Sequence, residues 1–231
     1  VSLDVPFIKI ASMDLNNDHL IRHAAKTGKT ILLSTGFATL DEIDHAVRTI
    51  EHSGNRNIVI LHCVSIYPPT DNQVNLNNIE MLRHAFGYPV GFSDHTVGIE
   101  VSLAAMAKGA VVLEKHYTLD KDMFGWDHKI SAAPKEMAAL VKGAERIFNA
   151  LGSSQRVPPE DPARKAEYRR SIVSARDIKK GEIIRQTAIT YRRPGTGLAP
   201  NSDSLVLGAT ALTDIDADTI LDLSDLKVHN K

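Results

Sequence analysis

Five short apolar stretches recur along the first half of the chain, and each gives way to polar residues at its end. They are residues 7–12 (FIKIAS), 30–35 (TILLST), 58–65 (IVILHCVS), 90–95 (VGFSDH) and 110–116 (AVVLEKH). Their length and their β-branched and aromatic content suit buried strands. The segments between them follow a helical period. Leu20, Ala24 and Ala25 fall on one face, as do Leu40, Ile43, Ala46, Val47 and Ile50, and residues 79–86, 99–107 and 137–151 continue the pattern. Thr39 or Asp41, and later Asn78, stand where helix N-caps are expected. Strand and helix alternating five times predict an α/β fold with a parallel sheet of βαβ units. Eight strands close a (β/α)8 TIM barrel. The reading preferred here is the last five units of such a barrel, with three units expected before the opening Val1-Ser2-Leu3-Asp4, which lacks Met. An open sheet is the alternative.

The texture changes after Leu151. Residues 152–165 (GSSQRVPPEDPARK) are polar and Pro-rich, the composition of a linker. Beyond them, short apolar runs at 171–175, 182–184 and 205–207 are separated by Lys180-Gly181 and Pro194-Gly195. The expected organisation is a partial barrel over 1–152, a linker over 153–167 and a small β-rich domain over 168–231.

Composition narrows the partners. A formal net charge of −1 argues against nucleic acid and against a polybasic membrane face. No apolar run approaches the roughly 20 residues that span a bilayer. The single Cys63 excludes an internal disulfide framework and fits a cytoplasmic setting.

The strand ends carry the chemistry, because ligands of parallel α/β sheets bind at the C-terminal edge. His95 and His116 end consecutive strand runs. Neighbouring strands lie about 5 Å apart, so both imidazoles can reach one point and suit a divalent cation such as Mn²⁺, Mg²⁺ or Co²⁺. Alternatively, each bonds a neighbouring carboxylate, Asp94 or Glu114. Ser12, Ser34, Ser65 and Ser93 occupy strand ends, with Lys9 close by. Hydroxyls and an ammonium on one rim form a receptor for phosphate or carboxylate. Neither a phosphate-binding Gly-rich loop nor a dinucleotide fingerprint occurs. The stretch Phe124-Gly125-Trp126-Asp127-His128-Lys129 suits a substrate-covering loop, and Asp127 could accept a sugar hydroxyl.

Several strings occur in one order: Lys9-Ile10-Ala11-Ser12, Ser34-Thr35-Gly36, Tyr67-Pro68, Phe92-Ser93-Asp94-His95-Thr96, Glu114-Lys115-His116-Tyr117-Thr118 and Asp127-His128-Lys129. Together they resemble the sialic acid (N-acetylneuraminate) synthases and their legionaminic and pseudaminic acid relatives. Arg169-Arg170-Ser171-Ile172-Val173, Asp177-Ile178-Lys179-Lys180-Gly181-Glu182 and Arg193-Pro194-Gly195-Thr196-Gly197 resemble the antifreeze-like SAF (β-clip) domain attached to those enzymes. The resemblance implies condensation of phosphoenolpyruvate with an N-acetylated amino sugar, N-acetylmannosamine or a related 2-acetamido sugar. The products are a nine-carbon 2-keto acid and phosphate.

It also implies a cytoplasmic homodimer whose SAF domains lean over the partner's site, with a divalent metal, Mn²⁺ foremost. His95 and His116 match its metal ligands. Lys9, Ser12, Ser34, Ser65 and Ser93 match phosphoenolpyruvate-holding positions, and Tyr67, Asp127 and Arg193 match sugar contacts, the last acting from the other subunit. Glu114 and Asp127 match acidic catalytic positions. Two departures stand out. The family's early catalytic Glu and second phosphoenolpyruvate lysine have no counterpart in this sequence, and Trp126 replaces a Pro common in the family. A Schiff-base pyruvate aldolase using Lys115 or Lys9, and a catalytically incompetent sugar- or metal-binding fragment, are the competing readings.

Overall fold

A computed structural model describes residues 4–153, 155 and 161–229. Residues 154 and 156–160 of the expected linker, and 1–3 and 230–231 at the ends of the expected domains, lie outside the described residues. The chain divides into two compact units, Val1–Ser154 and Gln155–Lys231.

In the first unit the order is β1 (Phe7–Ile10), α1 (Asp18–Ala25), β2 (Thr30–Ser34), α2 (Leu40–His52), β3 (Ile58–Cys63), α3 (Asp71–Val74), α4 (Asn77–Phe86), β4 (Val90–Asp94), α5 (Glu100–Ala107), β5 (Leu113–Lys115) and α6 (Pro134–Leu151). All five strands are parallel and neighbour one another in sequence order, β1-β2-β3-β4-β5. A doubly wound sheet reverses its strand order to cover both faces. With right-handed crossovers, an unreversed order keeps every helix on one face.

The burial follows that rule. Ile10, Ile31, Leu33, Ile58, Ile60, Val90 and Phe92 form one core with Ile21, Ile43, Ala46, Ile50, Ile79, Leu82 and Ala105 from the helices. Alternation along each strand sends Lys9, Leu32, Ser34, Leu61, Cys63, Ser93 and Glu114 to the opposite face. There Gly91 leaves no room for a side chain, since a Cβ would sit 2.6 Å from Leu61 Cδ2 and 2.7 Å from the Val112 carbonyl oxygen.

That opposite face is concave. β1 and β5 are four strand spacings apart, about 19 Å in a flat sheet. Lys9 Nζ on β1 nevertheless lies 3.4 Å from Glu114 Oε2 on β5. Stretched side chains fall well short of the flat distance, so the sheet curls to bring its outer strands face to face.

Local details refine the sequence reading. Thr39 caps α2 with Glu42 in a reciprocal capping box, which satisfies amides otherwise lacking partners. Asn78 lies inside α4 instead of capping it. Leu20 is exposed while the adjacent Ile21 takes the core position, and Leu40 lies half in water at the first turn of α2. The fifth strand begins only at Leu113, since Val111 projects into solvent. Among the described residues no helix is long and apolar enough to cross a membrane.

The second unit opens with α7 (Pro162–Tyr168), a helix within residues expected to be linker, with Asp161 as its N-cap. It continues with β6 (Ser171–Ser174), β7 (Ile189–Arg192), α8 (Asp203–Val206), β8 (Thr210–Ala211) and β9 (Leu226–Lys227). β6 pairs antiparallel with β7, and β8 with β9. Its core gathers Ile172, Ile178, Ile184, Val206, Ile215 and Leu221. The run at 205–207 begins in the short helix α8.

Candidate functional site

The concave face and its C-terminal edge gather most of the side chains singled out in the sequence. Lys9 and Glu114 meet across the curl. Glu114 Oε2 is buried without a hydrogen-bond partner and Ser34 Oγ likewise, the ion-pair contact to Lys9 being longer than a hydrogen bond. Thr96 Oγ1 is a third such atom among the described residues. Buried polar atoms are normally satisfied, so each of the three keeps hydrogen-bonding capacity for water or another polar group.

Beside them, Ser12 Oγ accepts the Gly36 amide at 2.9 Å and points its hydroxyl to Cys63 Sγ at 3.5 Å. Ser65 Oγ approaches the same sulfur at 3.9 Å. Gly36 is required by this crowding, because a Cβ there would lie 2.1 Å from Ser65 Oγ and 2.8 Å from Ser12 Oγ. Ser93 pairs in register with Cys63 on one side and with Glu114 on the other.

Cys63 is the residue that the sequence reading passed over as a site residue. Burial pushes its thiol up, but hydrogen bonds from His95 and Ser12, the His95 charge and Ser93 outweigh it, and the group titrates at about 7. Strand parity is the signal that could have found it, since Cys63 shares a face with Leu61 and ends β3 two residues before Ser65.

At the upper edge, His95 and His116 stand with ring centroids 5.2 Å apart. The Tyr67 ring lies 4.1 Å from His95 and 6.0 Å from His116, and a cis Tyr67-Pro68 bond follows it. His95 Nδ1 is 2.9 Å from the Val64 carbonyl, which can only accept, so Nδ1 carries a proton, and in the neutral form of the ring Nε2 is the lone-pair donor. Burial works against protonation of His95, yet its bonds to Cys63 and Val64 and the nearby negative groups raise its pKa. Burial and the neighbouring His95 charge hold His116 below the ordinary histidine value, against the pull of Asp127 and Glu114. Asp127 Oδ2 sits 3.8 Å from His116 Nδ1. Burial and the surrounding Cys63, Asp127 and Glu114 charges raise the Tyr67 phenol.

These donors fit a divalent cation through two imidazoles, one of them oriented by a backbone carbonyl. Among the described residues no group of three His, Cys, Asp or Glu gathers as a complete ligand set, so the remaining positions would fall to oxygens of water or substrate.

Lys115 turns the other way. Its ammonium is buried at 2.8 Å from Asp94 Oδ2 and from the Thr96 carbonyl, and Asp94 also accepts the Ser102 hydroxyl and the Thr96 amide. A Schiff-base lysine needs an unpaired, desolvated amine. Lys115 and Lys9 both have carboxylate partners. Arg193 belongs to the second unit, where it follows β7 with its guanidinium 5.2 Å from the centre of the Tyr168 ring.

Residues 1–156 match the NeuB family and residues 169–227 the SAF domain. The chain belongs to the NeuB family. Within it, the chain is 39% identical over 222 residues to the N,N'-diacetyllegionaminic acid synthase of Campylobacter jejuni, covering 95% of this chain and 66% of that protein. The enzyme of the same name from Legionella pneumophila is 38% identical over 227 residues, covering 96% and 64%. The crystal structure of N-acetylneuraminic acid (sialic acid) synthetase from Leptospira borgpetersenii, in complex with citrate, superposes with a TM-score of 0.65 at 41% identity, covering 70% of this chain and 56% of that one. The chain thus spans about two thirds of the length of these curated NeuB relatives.

Proposed function

We propose that the protein condenses phosphoenolpyruvate with an N-acetylated amino sugar, giving a nine-carbon 2-keto acid and phosphate. The observation that carries this reading is the meeting of Lys9 with Glu114 beside the unsatisfied Ser34 hydroxyl, beneath the His95–His116 pair. A cation and a set of hydroxyls at the bottom suit an anionic donor, and imidazoles with a carboxylate at the rim suit a polyol acceptor. The names of the NeuB relatives, legionaminic and sialic acid synthases, point the same way.

In this reading Lys9, Ser12, Ser34, Ser65 and Ser93 hold the phosphate and carboxylate of phosphoenolpyruvate, while Tyr67 and Asp127 orient the sugar. Carbon 3 of the enol attacks the aldehyde carbon, and the aldehyde oxygen takes the displaced electron pair and a proton. The positive charge left at carbon 2 is quenched by water, which loses a proton. Cleavage of the carbon 2–oxygen bond then releases phosphate and leaves the ketone. Glu114, facing carbon 2 from β5, is suited to stabilise that positive charge and to receive the proton of the water. Holding both reactants in one concave site supplies most of the rate through proximity and preorganised charge. A divalent metal, Mn²⁺ foremost, would be held by His95 and His116 and would supply Lewis-acid polarisation of the aldehyde.

The same reading takes the five-stranded sheet as an arc of an eight-stranded barrel, supported by its unreversed order and its curl. It takes the assembly as a cytoplasmic homodimer in which Arg193 serves the site of the other copy. The test is phosphate release from phosphoenolpyruvate on adding a 2-acetamido sugar, with and without a chelator. Release that needs both substrates and is restored by Mn²⁺ is expected. Absence of release with every such sugar overturns the reading.

A further inference from the structure

The ladder between β4 and β5 ends where Asp94 faces Lys115. His95 and His116 are the next residues, the first beyond that last rung on each strand. Their ring centroids are 5.2 Å apart, close to the spacing of about 4.8 Å between neighbouring strands, so both rings leave the sheet in one direction. Each is anchored elsewhere. The His116 carbonyl accepts the Ala132 amide at 2.7 Å, and the His95 ring bonds the Val64 carbonyl beyond β3, on the side of β4 away from β5.

A side chain joins the two. Lys115, the residue before His116, sends its ammonium to Asp94 Oδ2 at 2.8 Å and to the Thr96 carbonyl at 2.8 Å. Those are the residues on either side of His95. Asp94 Oδ1 also accepts the Thr96 amide at 2.8 Å, and Oδ2 accepts the Ser102 hydroxyl of α5. Residues 94–96 thus close into a small turn around His95. The Lys115 and Asp94 side chains are 2% and 0% exposed, so water does not compete for these bonds. An enclosed ion pair is a poor source of stability, since apolar residues of similar volume often serve as well. What an apolar pair would not reproduce is a hold on both neighbours of His95.

We infer that Lys115 and Asp94 are positioning residues for the cation site, setting the separation and direction of His95 and His116 from the opposite face of the sheet. This rests on the reading above that the two imidazoles hold a divalent cation, and deepens it. Groups behind a metal ligand commonly orient it by bonding the ligand itself. Here the hold passes through the main chain on both sides of the ligand. Electrostatics makes the sign diagnostic. The ammonium is a positive charge near a cation site, so by Coulomb's law its removal alone would tighten cation binding. Loss of positioning weakens it.

Titration with Mn²⁺, followed by the electron paramagnetic resonance signal of the free ion, reads the site without turnover. The parent protein should take up Mn²⁺ at a saturable site that His95→Ala or His116→Ala abolishes. Lys115→Met should raise the Mn²⁺ Kd about tenfold or more, against the direction that charge alone gives. Lys115→Met combined with Asp94→Asn leaves no buried charge, so its unfolding midpoint should return most of the way to that of the parent while the Kd stays raised. Ile21→Ala opens a hole in the helix-side core at α1. It should lower the midpoint and leave the Kd in place. A Kd that recovers with stability in the double variant overturns this inference alone, as does a Kd raised equally in Ile21→Ala or one unchanged or tighter in Lys115→Met. Should Lys115→Met fail to fold, the double variant and Ile21→Ala decide. If the parent takes up no Mn²⁺, or as much after His95→Ala, the cation reading fails and takes this inference with it.

Discussion

Two lysine–carboxylate pairs sit on opposite faces of the same sheet. Lys115 and Asp94 face the helices. They are fully buried at 2.8 Å, and Ser102 and Thr96 meet the remaining hydrogen-bonding capacity of the carboxylate. Lys9 and Glu114 face the concave side, partly open to water at 3.4 Å, with a carboxylate oxygen still lacking a hydrogen bond. The residue types are the same and the surroundings are not. The closed pair has no capacity left for a further partner, whereas the open one has.

The comparison can be broken most severely at Lys115. Lys115→Met strands the Asp94 charge in a dry interior, and losing one partner of a buried pair costs about 3–5 kcal/mol. The midpoint of denaturant unfolding should fall sharply, and an unchanged midpoint would show that the pair does no structural work. Lys9→Met should do the converse. Stability should stay within about 0.5 kcal/mol, as for a partly exposed pair, while kcat/KM for phosphoenolpyruvate drops about a hundredfold or more. Loss of folding in that variant would erase the distinction between the two pairs. The finest probe is Ser34→Ala, which removes a buried hydroxyl that has no partner in the protein. Unfolding should be unchanged or slightly harder, since no protein hydrogen bond is lost. The phosphoenolpyruvate KM should rise about fivefold, the value of one neutral hydrogen bond. A clear loss of stability would mean that the hydroxyl is structural.

The two faces also explain what could be read from the sequence. Five strands and their order were legible because apolar runs and helical periods are local signals, and the cap at Thr39 is spelled out by Glu42 three residues on. Asn78 misled because a capping residue type can equally sit in a first helical turn. Strand parity already separates Glu114 from Lys115, since successive side chains point to opposite faces. Considering Lys115 as a nucleophile overlooked that alternation. The contact of Lys9 with Glu114 was beyond local reading, because it depends on curl accumulated over five strands. The convergence on Cys63 depends on register, which couples residues 12, 36, 65 and 93 only once β1 to β4 are paired. The indole at 126 was visible as a letter, but its full exposure is a property of the folded loop.

Gly36 has a consequence for anyone who would redesign this protein. The hydroxyls of Ser12 and Ser65 occupy the space its missing side chain would need, so the floor of the concave face is shaped by an atom that is absent. Even a methyl group at that position would force both hydroxyls to turn away, and with them the amide that Ser12 accepts. A larger residue at this floor therefore has to be matched by changes at positions 12 and 65.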